Sequence, residues 1–217
     1  MRPTRTSTRS ATLSRTFRRN DKTAARMVRL AVLFEDLRIE IGGMSLAPNS
    51  QLLADCSPHY RNLYFMRRSI ATLFEFVQAL DHVEKTPEFE ALSLSAEAQR
   101  MWRRSRFYLD KHKKFFGDVR NDIGGHYGEQ AAIKAVNNLS GDEVGMIHVA
   151  VDGKAGGATL RFAAQVAATT LLFHCHGRSM QEKVARLFRR LLVAYRHATR
   201  ATDVITAFYF WPKFGRG

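Results

Sequence analysis

The residues best suited to chemistry lie in one string, Val119-Arg120-Asn121-Asp122-Ile123-Gly124-Gly125-His126-Tyr127-Gly128. Arg120 is a permanent cation whose planar fork can hold two phosphate oxygens and stabilise the charge that builds in a transition state. His126, six residues on, has an ordinary pKa of about 6.5, so it can accept or give a proton near neutrality. Asn121 can orient the pair or hydrogen-bond to a ligand. Such a set needs no metal to break a phosphodiester when the substrate carries its own nucleophile, as RNA does in its 2′-OH. The expected products are a 2′,3′-cyclic phosphate and a 5′-OH.

Geometry constrains this reading. On an unbroken helix, residues six apart sit about 9 Å apart along the axis and about 120° apart around it. Arg120 and His126 then need a bend at Gly124-Gly125, or a second subunit presenting the motif across a two-fold axis. A purely structural reading stands beside it. His126 falls on an apolar seam with Val119, Arg120 could pair with Asp118, Asp122 or Glu129, and the two glycines could simply end a helix.

Other clusters are weaker. His174-Cys175-His176 looks like a metal set, but successive helical residues point about 100° apart and cannot all face one ion. Asp152 to Gly157 is glycine-rich but lacks the Gly-Lys-Ser/Thr ending of a phosphate loop, so it reads as a turn. No metal and no cofactor are expected. The stretch 100–116 mixes Arg100, Arg103, Arg104, Arg106, Lys111, Lys113 and Lys114 with Trp102, Phe107 and Tyr108. The cations suit phosphates, and Arg103, Arg104, Arg106, Lys113 and Lys114 are the expected nucleic-acid contacts because their face leads into Arg120. The rings could stack on bases, though rings at this spacing more often belong to the core.

The charge balance points the same way. Lys and Arg number 34 against 20 Asp and Glu, a net charge of +14. Such an excess favours anionic partners, nucleic acid first and an anionic membrane second. An arginine-rich solvated surface is the plain alternative. The longest nearly apolar run, Ala163 to Phe173, falls short of the roughly 20 residues that span a bilayer, and no stretch has a signal peptide's apolar core. Two cysteines cannot make a disulfide framework. A cytoplasmic protein that does not engage membranes is expected.

The elements that must position these residues follow from periodicity. Residues 1–20 carry six arginines and no acid, with only Leu13 and Phe17 as large apolar groups; they read as a disordered basic arm. Their composition also suits an organellar transit peptide. Residues 21–217 read as a single helical domain. Asp21 to Ile41, a stretch that follows Ser57-Pro58 and runs to about Glu84, Ser95 onward and Ser179 to about Tyr209 are the long helices, each with apolar residues at three- and four-residue steps. In the third, Trp102, Leu109, Phe116 and Ile123 recur every seven residues, as do Ser105, His112, Val119 and His126. Shorter helices are expected over Glu129–Leu139 and Ala163–His176. Alternation at Ile147, Val149 and Val151, a glycine-rich turn and Thr159, Leu160 and Phe162 predict a β-hairpin over about 143–162. The expected fold is all-α: an antiparallel helical bundle with a small β-hairpin insert.

An arginine, a polar residue and then a histidine near a helix end of an all-α chain resembles the HEPN superfamily, whose mark is Arg, a spacer of a few residues, then His. The bare pattern occurs three times here: Arg106 with His112, Arg120 with His126, and Arg190 with His197. Only Arg120 is followed by the typical polar residue. The resemblance covers residues 115–130, and the basic arm and hairpin are additions to the family's minimal bundle. It implies a metal-independent endoribonuclease of a toxin or defence system, acting on RNA, single-stranded by preference. Arg120, His126 and Asn121 would form the active set. It further implies a homodimer and an antitoxin partner protein. A non-catalytic helical protein that dimerises or binds nucleic acid is the alternative.

Overall fold

A computed structural model describes residues 20–44, 58–124 and 159–216, together with positions 9, 10, 13, 17, 133, 136, 137, 147 and 148. The helices begin where short polar side chains can take up open backbone N–H groups. The chain enters helix α1 (Lys22–Gly43) through Asn20, whose φ of 62° is one that asparagine tolerates. Asp21 Oδ1 then accepts from the Ala24 N–H at 2.9 Å. Helix α2 (Pro58–Glu84) opens on a proline, which has no N–H to leave unsatisfied. Thr86 caps the single turn α3 (Pro87–Glu90), its Oγ1 accepting from the Phe89 N–H at 3.2 Å. Ser95 does the same for α4 (Ala96–Val119) through the Ala98 N–H. Helix α5 covers Arg161–Phe173. Ser179 caps α6 (Met180–Ile205) through the Glu182 N–H at 3.1 Å.

Two helices end in a widened turn. Helix α4 passes into a π turn over Arg120–Gly124, and α6 into another over Thr206–Phe210, ahead of the short α7 (Trp211–Lys213). A π turn accommodates one extra residue, re-aiming the side chains it carries.

The chain divides into two units. The first draws on residues 1–35, 75–111 and 196–217. Its core includes Met27 and Leu30 of α1, Phe76, Leu80 and Val83 of α2, Trp102 and Leu109 of α4, and Ala198, Ala201 and Ile205 of α6. The second draws on residues 36–74 and 112–195. It buries Leu37, Ile70, Leu73, Phe116, Val119, Leu171, Leu172, Leu187 and Leu191. The seven-residue seam of α4 is buried at Trp102, Ser105, Leu109, Phe116 and Val119, as its spacing requires. Met180, the first residue of α6, is exposed.

The hairpin insert is overturned: the described residues form an all-α helical bundle. Arg161 and Phe162, which alternation assigned to a returning strand, open α5. Among the described residues, the extended pairing there is that of Ile147 with Leu160 and His148 with Thr159. The physical reason is that a lone hairpin gains little burial, whereas α5 seats Leu171 and Leu172 in a core. Residues 143–146 and 149–158 lie outside the described residues, as does most of the helix expected over 129–139. Within the first twenty residues, Arg9 and Ser10 pair with Arg216 and Gly215. The Phe17 ring meets those of Phe210 and Phe214 edge-on.

Candidate functional site

Helix α4 sorts its side chains by direction. Its inner face is the buried seam. Arg100, Arg103, Arg104, Phe107, Lys111 and Lys114 are exposed on the opposite side. Of the five cations expected to meet nucleic acid, Arg103, Arg104 and Lys114 therefore face solvent. Lys114 shares its charge with Asp118, at 2.7 Å. Lys113 is half-buried and already has interactions of its own.

Arg106 is different. Its side chain is 12% exposed and reaches Asp81 at 2.5 Å, Glu84 at 3.1 Å and Asp110 at 3.2 Å. Glu84 also accepts from the Trp102 indole N–H, at 2.5 Å. Three carboxylates compensate this guanidinium, so it acts as a clamp within the first unit. Sequence spacing alone could not separate it from Arg103 and Arg104, because its acidic partners Asp81 and Glu84 come from another helix.

The π turn carries the centre of the candidate motif. Arg120 is exposed, with its guanidinium 5.1 Å from the centre of the Phe74 ring, a cation–π distance. Gly117 makes room for that ring: a Cβ there would lie 2.9 Å from Phe74 Cε2. Asn121 is exposed. Asp122 turns to another element, its Oδ2 lying 2.8 Å from His174 Nε2 just beyond α5. The structure thus brings Arg120, Asn121 and the Asp122–His174 pair to one turn and its neighbour. His126 lies outside the described residues.

Reading the sequence for catalysis missed the Asp122–His174 pair. Both members were in view, Asp122 inside the motif and His174 in His174-Cys175-His176, but 52 positions separate them. The neighbouring Cys175 is buried, which pushes its thiol pKa up despite Arg190 and Lys183 nearby. Among the described residues no group of three or more His, Cys, Asp or Glu could hold a metal ion.

The other two copies of the motif serve packing. Arg106 is the clamp described above. Arg190 lies 4.1 Å from the centre of the Phe115 ring. His197 stacks on Tyr108, with ring centres 4.5 Å apart, and its Nδ1 lies 3.4 Å from Ser105 Oγ. Burial, then Arg200 and Arg196, push the His197 pKa down and favour a neutral ring. A cavity of about 600 Å³ near the start of α1 is lined by Phe17, Asp21, Lys22, Ala24 and Val28. Among the described residues that line it none belongs to the motif, and the one carboxylate, Asp21, is the cap of α1.

No protein-family model, curated protein or solved structure matches the chain. Among the described residues, no helix is long and apolar enough to cross a membrane.

Proposed function

We propose that this protein acts on RNA, as an HEPN-like endoribonuclease that needs no metal. The observation that carries the RNA reading is the outer face of α4, where Arg100, Arg103, Arg104 and Lys111 are all exposed while the opposite face is core. A cationic helix face in a chain of net charge +14 holds a phosphate backbone and releases its counterions. Arg120 and Asn121, exposed on the π turn, supply the phosphate-binding half of the chemistry.

In this reading Arg120 grips the scissile phosphate and Asn121 orients it. His126 removes the proton from the 2′-OH, whose oxygen attacks phosphorus as the bond to the 5′-oxygen breaks. The leaving oxygen takes up a proton, giving a 2′,3′-cyclic phosphate and a 5′-OH. A homodimer would let each subunit complete the other's site. An antitoxin partner and a cytoplasmic location complete the proposal.

Metal-free protein in chelator should cleave single-stranded RNA, and His126→Ala should abolish cleavage while the circular dichroism spectrum and melting temperature are kept. Cleavage that survives this substitution, or that needs magnesium, removes the nuclease reading.

A second reading, a non-catalytic RNA-binding protein, is favoured by the placement of the Arg120 guanidinium over Phe74. It predicts that Arg120→Ala weakens RNA binding no more than Arg103→Ala does, with no product from either.

A further inference from the structure

Phe107 points the wrong way for a core residue. It is 74% exposed, while Trp102, Ser105, Leu109 and Phe116 on the same helix are 5% exposed or less. At about 100° per residue, Phe107 projects roughly opposite that seam. Arg100, Arg103, Arg104 and Lys111, all exposed, fall within about 60° of it around the axis and about 5–11 Å along it. The acid nearest the ring on this face, Asp110, lies 3.2 Å from Arg106, and Asp118 further along pairs with Lys114 at 2.7 Å. An apolar ring is thus set among four cations.

The other two rings of the stretch are committed elsewhere. Trp102 is buried, donates to Glu84 and packs against Phe89 with ring centres 4.7 Å apart. Tyr108 stacks on His197. Phe107 alone of the three offers an exposed π face.

We propose that Phe107 is a stacking platform for an unpaired base, and that the surface around it binds single-stranded RNA. The inference rests on the RNA reading given above but not on catalysis. The four cations hold phosphates on either side of the ring, and the ring takes the base between them. A duplex keeps its bases stacked on one another and meets only the cations. Charge complementarity selects a polyanion, and the aromatic ring selects one with free bases.

The test is fluorescence anisotropy of the full-length protein with a labelled 12-nucleotide single-stranded RNA and with a matched RNA duplex, at two salt concentrations. Phe107→Ala should weaken single-strand binding about tenfold or more and leave duplex binding within about twofold. Phe107→Trp should restore it where Phe107→Leu does not, and all three variants should keep the wild-type melting temperature. If the wild type binds RNA in a salt-dependent way and Phe107→Ala binds the single strand equally well, the platform is wrong and the RNA reading stands. If neither RNA binds even at low salt, both fall. Anionic vesicles bound in place of RNA, or a dimer that Phe107→Ala dissociates without changing RNA affinity, would reassign the surface and overturn the inference.

Discussion

His174 Nε2 lies 2.8 Å from Asp122 Oδ2, joining the end of α5 to the π turn that carries Arg120 and Asn121. The two side chains are 18% and 22% exposed, so the contact is partly shielded from water. Deleting either member should cost about 1–2 kcal/mol and loosen the turn. Thermal unfolding of His174→Ala, Asp122→Ala and the double variant should give a coupling energy of about 0.5 kcal/mol or more. Amide exchange over 120–124 should rise in each single variant. Additive losses with unchanged exchange would show that the contact does not hold the turn.

Glu40 should make stability fall as pH rises. It is 7% exposed, accepts from Thr72 Oγ1 at 3.0 Å and lies 3.5 Å from Arg68 Nε. Its Oε2 is buried with no hydrogen-bond partner among the described residues. Burial pushes its pKa from 4.5 up to about 7, against the lowering effect of Thr72 and Arg68 and with a small raising effect from Asp36. The folded state therefore keeps a proton that the unfolded chain loses above about pH 4.5, and the sign follows. The contribution is full below that pH, is lost through about pH 7 and is flat beyond. The loss amounts to about 3 kcal/mol at most. Urea titrations from pH 4 to 8 should show this slope in the wild type and a much smaller one in Glu40→Gln, which should be the more stable protein at pH 8.

Arg106 and Arg104 should behave as opposites despite being two residues apart. Arg106→Ala leaves Asp81 and Glu84 without their shared cation and should cost about 2 kcal/mol, below the range for fully buried pairs because the carboxylates are partly exposed. Arg104→Ala should change stability by no more than about 0.5 kcal/mol but weaken RNA binding and flatten its salt dependence. Equal melting temperatures for the two variants would contradict the clamp.

Gly117→Ala should act at a distance on Arg120. The added methyl would lie 2.9 Å from the Phe74 ring, which must shift, and that ring lies beneath the Arg120 guanidinium. Overpacking of this kind costs about 1–3 kcal/mol. Relaxing the clash in Gly117→Ala/Phe74→Leu should recover stability but not the cation–π contact. The Arg120 side-chain resonance, followed by NMR, should move in both variants.

Where a helix begins was legible because the signals are local. Asp21, Ser95 and Ser179 each cap a helix within three residues of themselves. The seam of α4 was equally legible, since a seven-residue repeat of apolar groups leaves a helix one face to bury. The hairpin failed for the complementary reason. Alternation over a few residues is a weak signal, and the helical pattern continuing into Leu171 and Leu172 claimed Arg161 and Phe162.

The sequence by itself determined an all-α chain, strongly basic, with seven of its cations on α4 and with an Arg-Asn pair at that helix's end. These follow from composition, from side-chain volume and from the periods of single elements. Only the tertiary structure decided which cations stay outward. Arg106 is compensated because Asp81 and Glu84 on α2 come within ion-pair distance of it, and Arg103 and Arg104 face solvent. It also decided that Asp122 finds His174. Each of these depends on contacts between elements distant in the chain, and no local pattern encodes them.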